Sequence, residues 1–175
     1  MKGHKELRPG DFKICVDRRE QLPLDLTIPY EGKPFTLHTV PGTLQCGDYA
    51  VVGLEHIAVV ERKSLSDLIG VVTYGRERFK RELQRAKAYP TRVIIIEGFE
   101  SNVLLGQYRS KVNPLSVIGS LYKWRARYGI SFEWAGDRQR AALAVARTLW
   151  ASAQVYHEDL QAYRDGFKIA GEESA

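Results

Sequence analysis

Two short stretches hold the residues best suited to chemistry. Glu61-Arg62-Lys63 follows the apolar run Ile57-Ala58-Val59-Val60, and Gly47-Asp48 precedes Tyr49-Ala50-Val51-Val52. Strand side chains alternate faces, so Glu61 and Lys63 share one face and Arg62 takes the other. A carboxylate that holds a cation, beside an ammonium that orients water or balances charge on a phosphate, suits metal-assisted hydrolysis of a phosphodiester. Taken alone, Glu-x-Lys is more often a strand end capped by solvated charge. The upstream segment shifts that weighting. With Gly53-Leu54-Glu55-His56 as a turn, a hairpin closing between Leu54 and Glu55 sets Asp48 opposite Glu61 on one face. A slip of one residue sends Asp48 to the far side of the sheet.

These pieces, in this order, carry a resemblance. Gly47-Asp48, Glu61-Arg62-Lys63 and Asp67 are similar to the G-D…E-R-K-x-x-x-D signature of the XPF family of structure-specific DNA endonucleases, and Val16-Asp17-Arg18-Arg19-Glu20 resembles that family's V-D-x-R-E segment. The matching residues run from about Ile14 to Gly98. The resemblance implies the restriction-endonuclease-like fold and a metal site in which the backbone carbonyl of Arg62 is a further ligand. Family members carry an arginine-containing helix after the E-R-K strand, with glutamine where this chain has Glu82. Many append a helix-hairpin-helix domain; no stretch here matches one, so the expectation is the nuclease domain alone.

The elements that must position these residues can be read from periodicity and breakers. Strands are expected at Phe12–Val16, Phe35–Val40, Gly47–Val52, Ile57–Lys63, Arg92–Gly98 and Gly129–Trp134. The Arg92–Gly98 run is apolar throughout, as a strand buried on both faces requires. Prolines 23 and 29 mark Leu22–Tyr30 as loop or a short turn. Helices are expected from Ser64, over Arg76–Lys87, from Leu115 to Arg127 after Asn113-Pro114, and from Asp137 to about Tyr156. Ser64 with Asp67 reads as a capping box, so Asp67 is a helix cap, an outer acid of the cluster, or both. The order gives an α/β domain with a central mixed sheet flanked by helices. Residues 1–11 read as a lead-in, 12–157 as the domain and 158–175 as a polar tail.

Composition sets outer bounds. The 175 residues suit one domain with a proper core, and the net charge of +5 suits a polyanionic partner. Cys15 and Cys46 fit neither a disulfide framework nor a zinc spacing and read as buried thiols. No phosphate-binding or dinucleotide-binding glycine loop is present. No apolar run of membrane length or leader pattern is visible, which points to a soluble, cytoplasmic protein, nucleoid-associated if cellular.

The expected site follows. Asp48, Glu61 and Asp17, with the Arg62 carbonyl, would hold Mg²⁺ or Mn²⁺, since all-oxygen donors favour hard cations over zinc. Lys63 would position water and offset charge, and Glu20 would complete the acidic cluster directly or through water. Arg62 points away from Glu61 and Lys63 to brace structure or meet a phosphate; Arg19 is a similar case. Arg76, Arg78, Lys80, Arg81 and Arg85 would track DNA phosphates, although a charged helix face is often merely solvated. Tyr122 and Trp124 are core aromatics by default. The expected function is a metal-dependent endonuclease acting on branched, flap or junction DNA in repair, recombination or replication. The alternative is an inactive DNA-binding scaffold of the same fold, since the family includes such partners. The broad apolar side of the last helix, with dimerisation in the resembled family, suggests a homodimer.

Overall fold

The computed structural model describes residues 6–172, with side chains described up to residue 166. The chain forms β1 (Ile14–Asp17), β2 (Thr27–Tyr30), β3 (Lys33–Thr36), β4 (Thr39–Gly42), β5 (Tyr49–Val51) and β6 (Ala58–Ser64). Then come α1 (Leu65–Val72), α2 (Arg76–Ala86), β7 (Thr91–Glu97), α3 (Glu100–Leu104), α4 (Pro114–Tyr128), β8 (Ser131–Trp134) and α5 (Arg138–Glu172). Six strands form one sheet in the order β4-β1-β5-β6-β7-β8, and β2-β3 stand apart as a two-stranded ribbon. The sheet is mixed: β4 with β1, and β6, β7 and β8 among themselves, are parallel, while β5 runs antiparallel to both of its neighbours.

Alternation along the strands divides the core in two. Val16, Tyr49, Val60 and Ile95 face α5, where Ala141, Val145 and Leu149 are fully buried. Ile94, Ile96 and Phe132 face α1, α2 and α4, packing with Leu68, Phe79, Leu83 and Trp124. Glu61 and Lys63 pair in register with Ile94 and Ile96, whereas Arg62 pairs with Ile95. Glu61 and Lys63 therefore lie on the α2 side and Arg62 on the α5 side.

Three local expectations need correction. Ile28-Pro29-Tyr30 is a strand, not a loop. Pro29 stands opposite Pro34 in the ribbon, a pairing in which neither residue needs an inward N–H. Residues Phe35–Val40 are split between β3 and β4, and β4 continues through Pro41-Gly42 because an edge strand tolerates proline. The last helix does not stop near Tyr156 but runs to Glu172; nothing in 157–172 breaks it, there being no proline after Pro114. The final residues of the expected tail, and the first five of the expected lead-in, lie outside the described residues; Leu7 and Phe12 pack against the core. Among the described residues no helix is long and apolar enough to cross a membrane.

Candidate active site

The hairpin of β5 and β6 has the symmetric register: Tyr49 pairs with Val60 and Ala50 with Val59. The ladder then departs from symmetry. Asp48 N–H donates to Val60 O (2.9 Å), and the Arg62 N–H donates to Asp48 Oδ2 (2.8 Å). The Asp48 side chain thus takes a hydrogen bond from the strand that also carries Glu61 and Lys63. Gly47 makes this approach possible. Its φ is +74°, and a Cβ there would stand 2.2 Å from Val59 Cγ2 and 2.9 Å from Val60 O. The Gly-Asp pair is therefore a steric requirement of the site, not only a turn.

In a partly desolvated site, a neighbouring carboxylate raises a carboxyl's proton affinity. Burial, followed by the charge of Glu61, pushes the Asp48 carboxyl up to about 7. Lys63 is nearly buried; its Nζ donates to Glu61 Oε1 (2.8 Å) and sits 5.1 Å from the centre of the Phe79 ring. Burial works against the ammonium, but Glu61, Asp48 and Glu82 outweigh it, and the Lys63 pKa is raised. Lys63 is a fixed positive charge, not a base at neutral pH. Cys46 lies in the same field, and burial with Glu61 pushes its thiol up to about 11, which leaves no thiolate nucleophile.

Asp17 is the backbone neighbour of this pair, its N–H donating to Asp48 O (2.8 Å), but its carboxylate is engaged elsewhere. Its Oδ1 accepts from Arg19 N and Nε (2.8 and 2.7 Å), and its Oδ2 accepts from Arg19 Nη2 and Leu44 N (3.0 and 2.7 Å). Arg19 holds the carboxyl down at about 2. Both oxygens are engaged, so in this arrangement Asp17 anchors Arg19 and the 43–47 loop rather than presenting a ligand. Arg19 Nη2 also donates to Leu44 O (2.7 Å), yet its side chain is 70% exposed.

Glu20 belongs to the α5 side. Its Oε1 accepts from Leu22 N (2.8 Å), and its Oε2 lies 3.5 Å from Arg62 Nη1. Arg62 Nε pairs with Glu97 Oε1 (2.8 Å), and Arg138 of α5 reaches the same oxygen at 3.6 Å. Arg62 is thus a brace joining the β1 loop, β6, β7 and α5. Glu97 reads from sequence as a residue near the site or, more commonly, a strand-end cap, and Arg138 carries no sequence signal of its partnership; the parallel β6–β7 register brings Glu97 to Arg62, and the start of α5 adds Arg138.

Ser64 is the N-cap of α1 and Asp67 its partner in the first turn: the Asp67 N–H donates to Ser64 Oγ (3.1 Å), and Ser64 Oγ donates to Asp67 Oδ2 (2.6 Å). The basic helix divides. Arg78, Arg81 and Arg85 are exposed, and Lys80 is half-buried against Glu77 (2.7 Å). Arg76 turns inward instead. Its Nη2 donates to Ser120 Oγ (2.8 Å), its Nε to Val72 O (3.1 Å), and its guanidinium lies 5.5 Å from the Trp124 ring centre. The expected DNA contact at Arg76 is corrected to a core tie between α1, α2 and α4. Trp124 is core, while Tyr122 is 60% exposed.

Among the described residues, no three His, Cys, Asp or Glu side chains are placed to hold a metal by themselves. Mg²⁺ does not need such a cage; it takes one or two carboxylates with water and substrate phosphate. Asp48 and Glu61 fit that habit: hard oxygen donors whose mutual repulsion a divalent cation relieves. A cavity of about 1100 Å³ lies elsewhere, between β2–β3 and the start of α5, and Asp48, Glu61 and Lys63 do not line it.

The family model of the ERCC4 domain matches residues 5–148. The chain belongs to the ERCC4 domain family. This ERCC4 domain is similar in structure to XPF from Aeropyrum pernix, with a TM-score of 0.62 and 25% identity over 80% of this chain and 61% of that one. It is likewise similar to XPF from Aeropyrum pernix in complex with DNA, with a TM-score of 0.61 and 25% identity over 81% of this chain and 65% of that one. The chain spans less than two thirds of either. Its mixed sheet and flanking helices are the restriction-endonuclease-like fold. No curated protein matches the sequence.

Proposed function

We propose that this ERCC4 domain is a divalent-metal-dependent DNA endonuclease that cuts phosphodiester bonds at branched, flap or junction structures, in repair, recombination or replication. The observation that carries the reading is the meeting of Asp48, Glu61 and a permanently charged Lys63 at the open end of β5 and β6. The ERCC4 membership and the DNA complex of a structural relative support it. Asp48, Glu61 and the Arg62 carbonyl would hold Mg²⁺ or Mn²⁺, which would supply polarisation of the phosphate and a lowered pKa for water. The Arg62 N–H fixes the Asp48 rotamer. Lys63, held between Glu61 and Phe79, offers positive charge where the phosphate gains negative charge. Asp17 acts by positioning Arg19, whose exposed guanidinium meets a phosphate, and Glu20 acts by seating Arg62.

Labelled branched and linear DNAs, incubated with Mg²⁺, Mn²⁺ or chelator, test this. Wild type should cut a branched substrate with either metal and not with chelator. Asp48→Asn and Lys63→Ala should each stay folded, bind DNA and lose about 10²- to 10³-fold in rate. Calorimetry should show weaker Mn²⁺ binding for Asp48→Asn and unchanged or tighter binding for Lys63→Ala. A wild type that binds DNA and cuts nothing indicates an inactive scaffold. Cleavage that survives both substitutions moves the site elsewhere.

The proposal extends to a homodimer, on altered grounds. The apolar side of α5 through Ala153 is spent on the sheet and the ribbon. Beyond it, Val155, Leu160 and Tyr163 are 57%, 44% and 66% exposed, and these supply the contact. Light scattering at micromolar protein should give twice the chain mass; a strict monomer removes the dimer.

A further inference from the structure

A groove of about 660 Å³ opens beside α1, where β6 hands over to that helix. Leu65 and Ser66 form its near end, directly after Lys63 and Ser64; Tyr74 and Arg109 also line it, and no acidic residue does. α1 has eight residues, so it runs about 12 Å, comparable to three or four phosphates of one strand at roughly 3.4 Å each. The groove therefore leads away from the catalytic charges over a distance that DNA leaving them would cover.

Tyr74 is 92% exposed, more than any other large hydrophobic side chain among the described residues. Its ring is not adrift. The hydroxyl lies 2.9 Å, and the adjoining ring carbon 3.3 Å, from where a Cβ on Gly70 would stand. Glycine at 70 lets the ring lie close against α1 while staying open to solvent. The facing wall is a fixed loop. Gly106 has φ +66°, Gln107 N–H donates to Asn102 O (2.7 Å), and the Tyr108 hydroxyl donates to Val112 O (2.7 Å). Arg109, exposed on that loop, brings positive charge to the wall opposite the tyrosine.

An exposed aromatic paired with a cation and lined by hydroxyl and amide groups suits an unstacked base and its phosphate. A base inside a duplex has no free face to offer Tyr74. The geometry points to this groove as the seat of an unpaired stretch of DNA beside Lys63, with a base stacked on Tyr74 and a phosphate paired to Arg109. The inference rests on the endonuclease reading and names the part of the substrate this side of the site takes.

Fluorescence anisotropy in chelator, with labelled oligothymidine and a blunt duplex as probes, tests it apart from cleavage. Tyr74→Ala should weaken oligothymidine binding by roughly 10- to 100-fold, while Tyr74→Phe, which keeps the ring, should bind like wild type. Arg109→Ala should flatten the log–log salt dependence on oligothymidine by about 0.7. Blunt-duplex affinity should stay unchanged in all three, and thermal unfolding should be that of wild type, since Tyr74 is outside the core. Unchanged oligothymidine binding by Tyr74→Ala overturns the inference and leaves the groove to a peptide or to nothing. An equal loss on both probes overturns it too, as does a wild type that does not bind oligothymidine. Ring-dependent binding by a protein that cuts nothing sinks the endonuclease reading alone. A protein that cuts but binds independently of the ring sinks this inference alone.

Discussion

At the scale of single residues, Asp48 carries the sharpest consequence. Its carboxyl is pushed up to about 7 by burial and Glu61, against an ordinary 3.8. A group whose pKa is raised by folding binds its proton more tightly in the native state. Its contribution is fully present below the unfolded value, near pH 4, and is lost as pH rises through 7. Metal-free wild type should therefore lose stability between pH 4 and 7 relative to Asp48→Asn, which keeps an acceptor for the Arg62 N–H but carries no charge. Above pH 7 the variant should be the more stable by about 1–3 kcal/mol, and the two should converge near pH 4. Thermal unfolding in chelator across that window measures it, and parallel curves would show that Asp48 titrates as an ordinary carboxyl. Mn²⁺ should stabilise wild type and not the variant. That Asp48, Glu61 and Lys63 share one face of the hairpin was legible because strand alternation and hairpin register are simple arithmetic. Asp17 was not: the fold-back of Arg19, two residues away, depends on where the Leu44 loop lies, and no local pattern announces that.

At the scale of elements, the β5–β6 hairpin depends on two glycines that do different work. Gly47 and Gly53 both have positive φ, +74° and +85°. A Cβ at Gly53 meets nothing within 4 Å, whereas one at Gly47 strikes Val59 Cγ2 and the Val60 carbonyl. Gly53→Ala should cost about 1 kcal/mol, the left-handed backbone alone. Gly47→Ala adds overlap with the neighbouring strand and should cost about 2–4 kcal/mol, with a loss of Mn²⁺ affinity as Asp48 is displaced. Denaturant melts of the two variants read the difference; equal costs would mean that β6 yields freely at Val59. The strongly periodic elements were legible for an evident reason: α2, α4 and β7 each bury a regular set such as Phe79, Leu83 and Ala86. The ribbon was hidden because the rule that proline breaks strands assumes that its N–H is needed, and opposed Pro29 and Pro34 do not need theirs. The length of α5 was hidden because beyond Ala153 no sheet lies beneath it to impose an apolar stripe.

At the scale of the whole molecule, the sheet separates two charged systems. The α5 side is closed, with Arg62, Glu20, Glu97 and Arg138 satisfying one another. The α2 side is open, and its outer helix carries exposed cations. Arg78, Arg81 and Arg85 are spaced three and four residues apart and so form one stripe, on the helix whose Phe79 lies under Lys63. Arg78 has only a loose 3.7 Å contact with Glu82 and is 72% exposed. A cationic stripe beside the acidic pair can hold a phosphate backbone against it, and each phosphate so neutralised releases counterions. Replacing all three arginines with alanine should flatten the log–log dependence of DNA affinity on salt by about 2 to 3. Arg76→Ala, on the same helix, should leave that slope alone and instead lower the melting temperature, because its guanidinium bonds Ser120 and lies over Trp124. The pair of measurements separates binding charge from structural charge within eleven residues of sequence. An identical slope in wild type and the triple variant would reduce the stripe to a solvated face, and a slope that falls with Arg76→Ala would mean its guanidinium leaves the core to meet DNA.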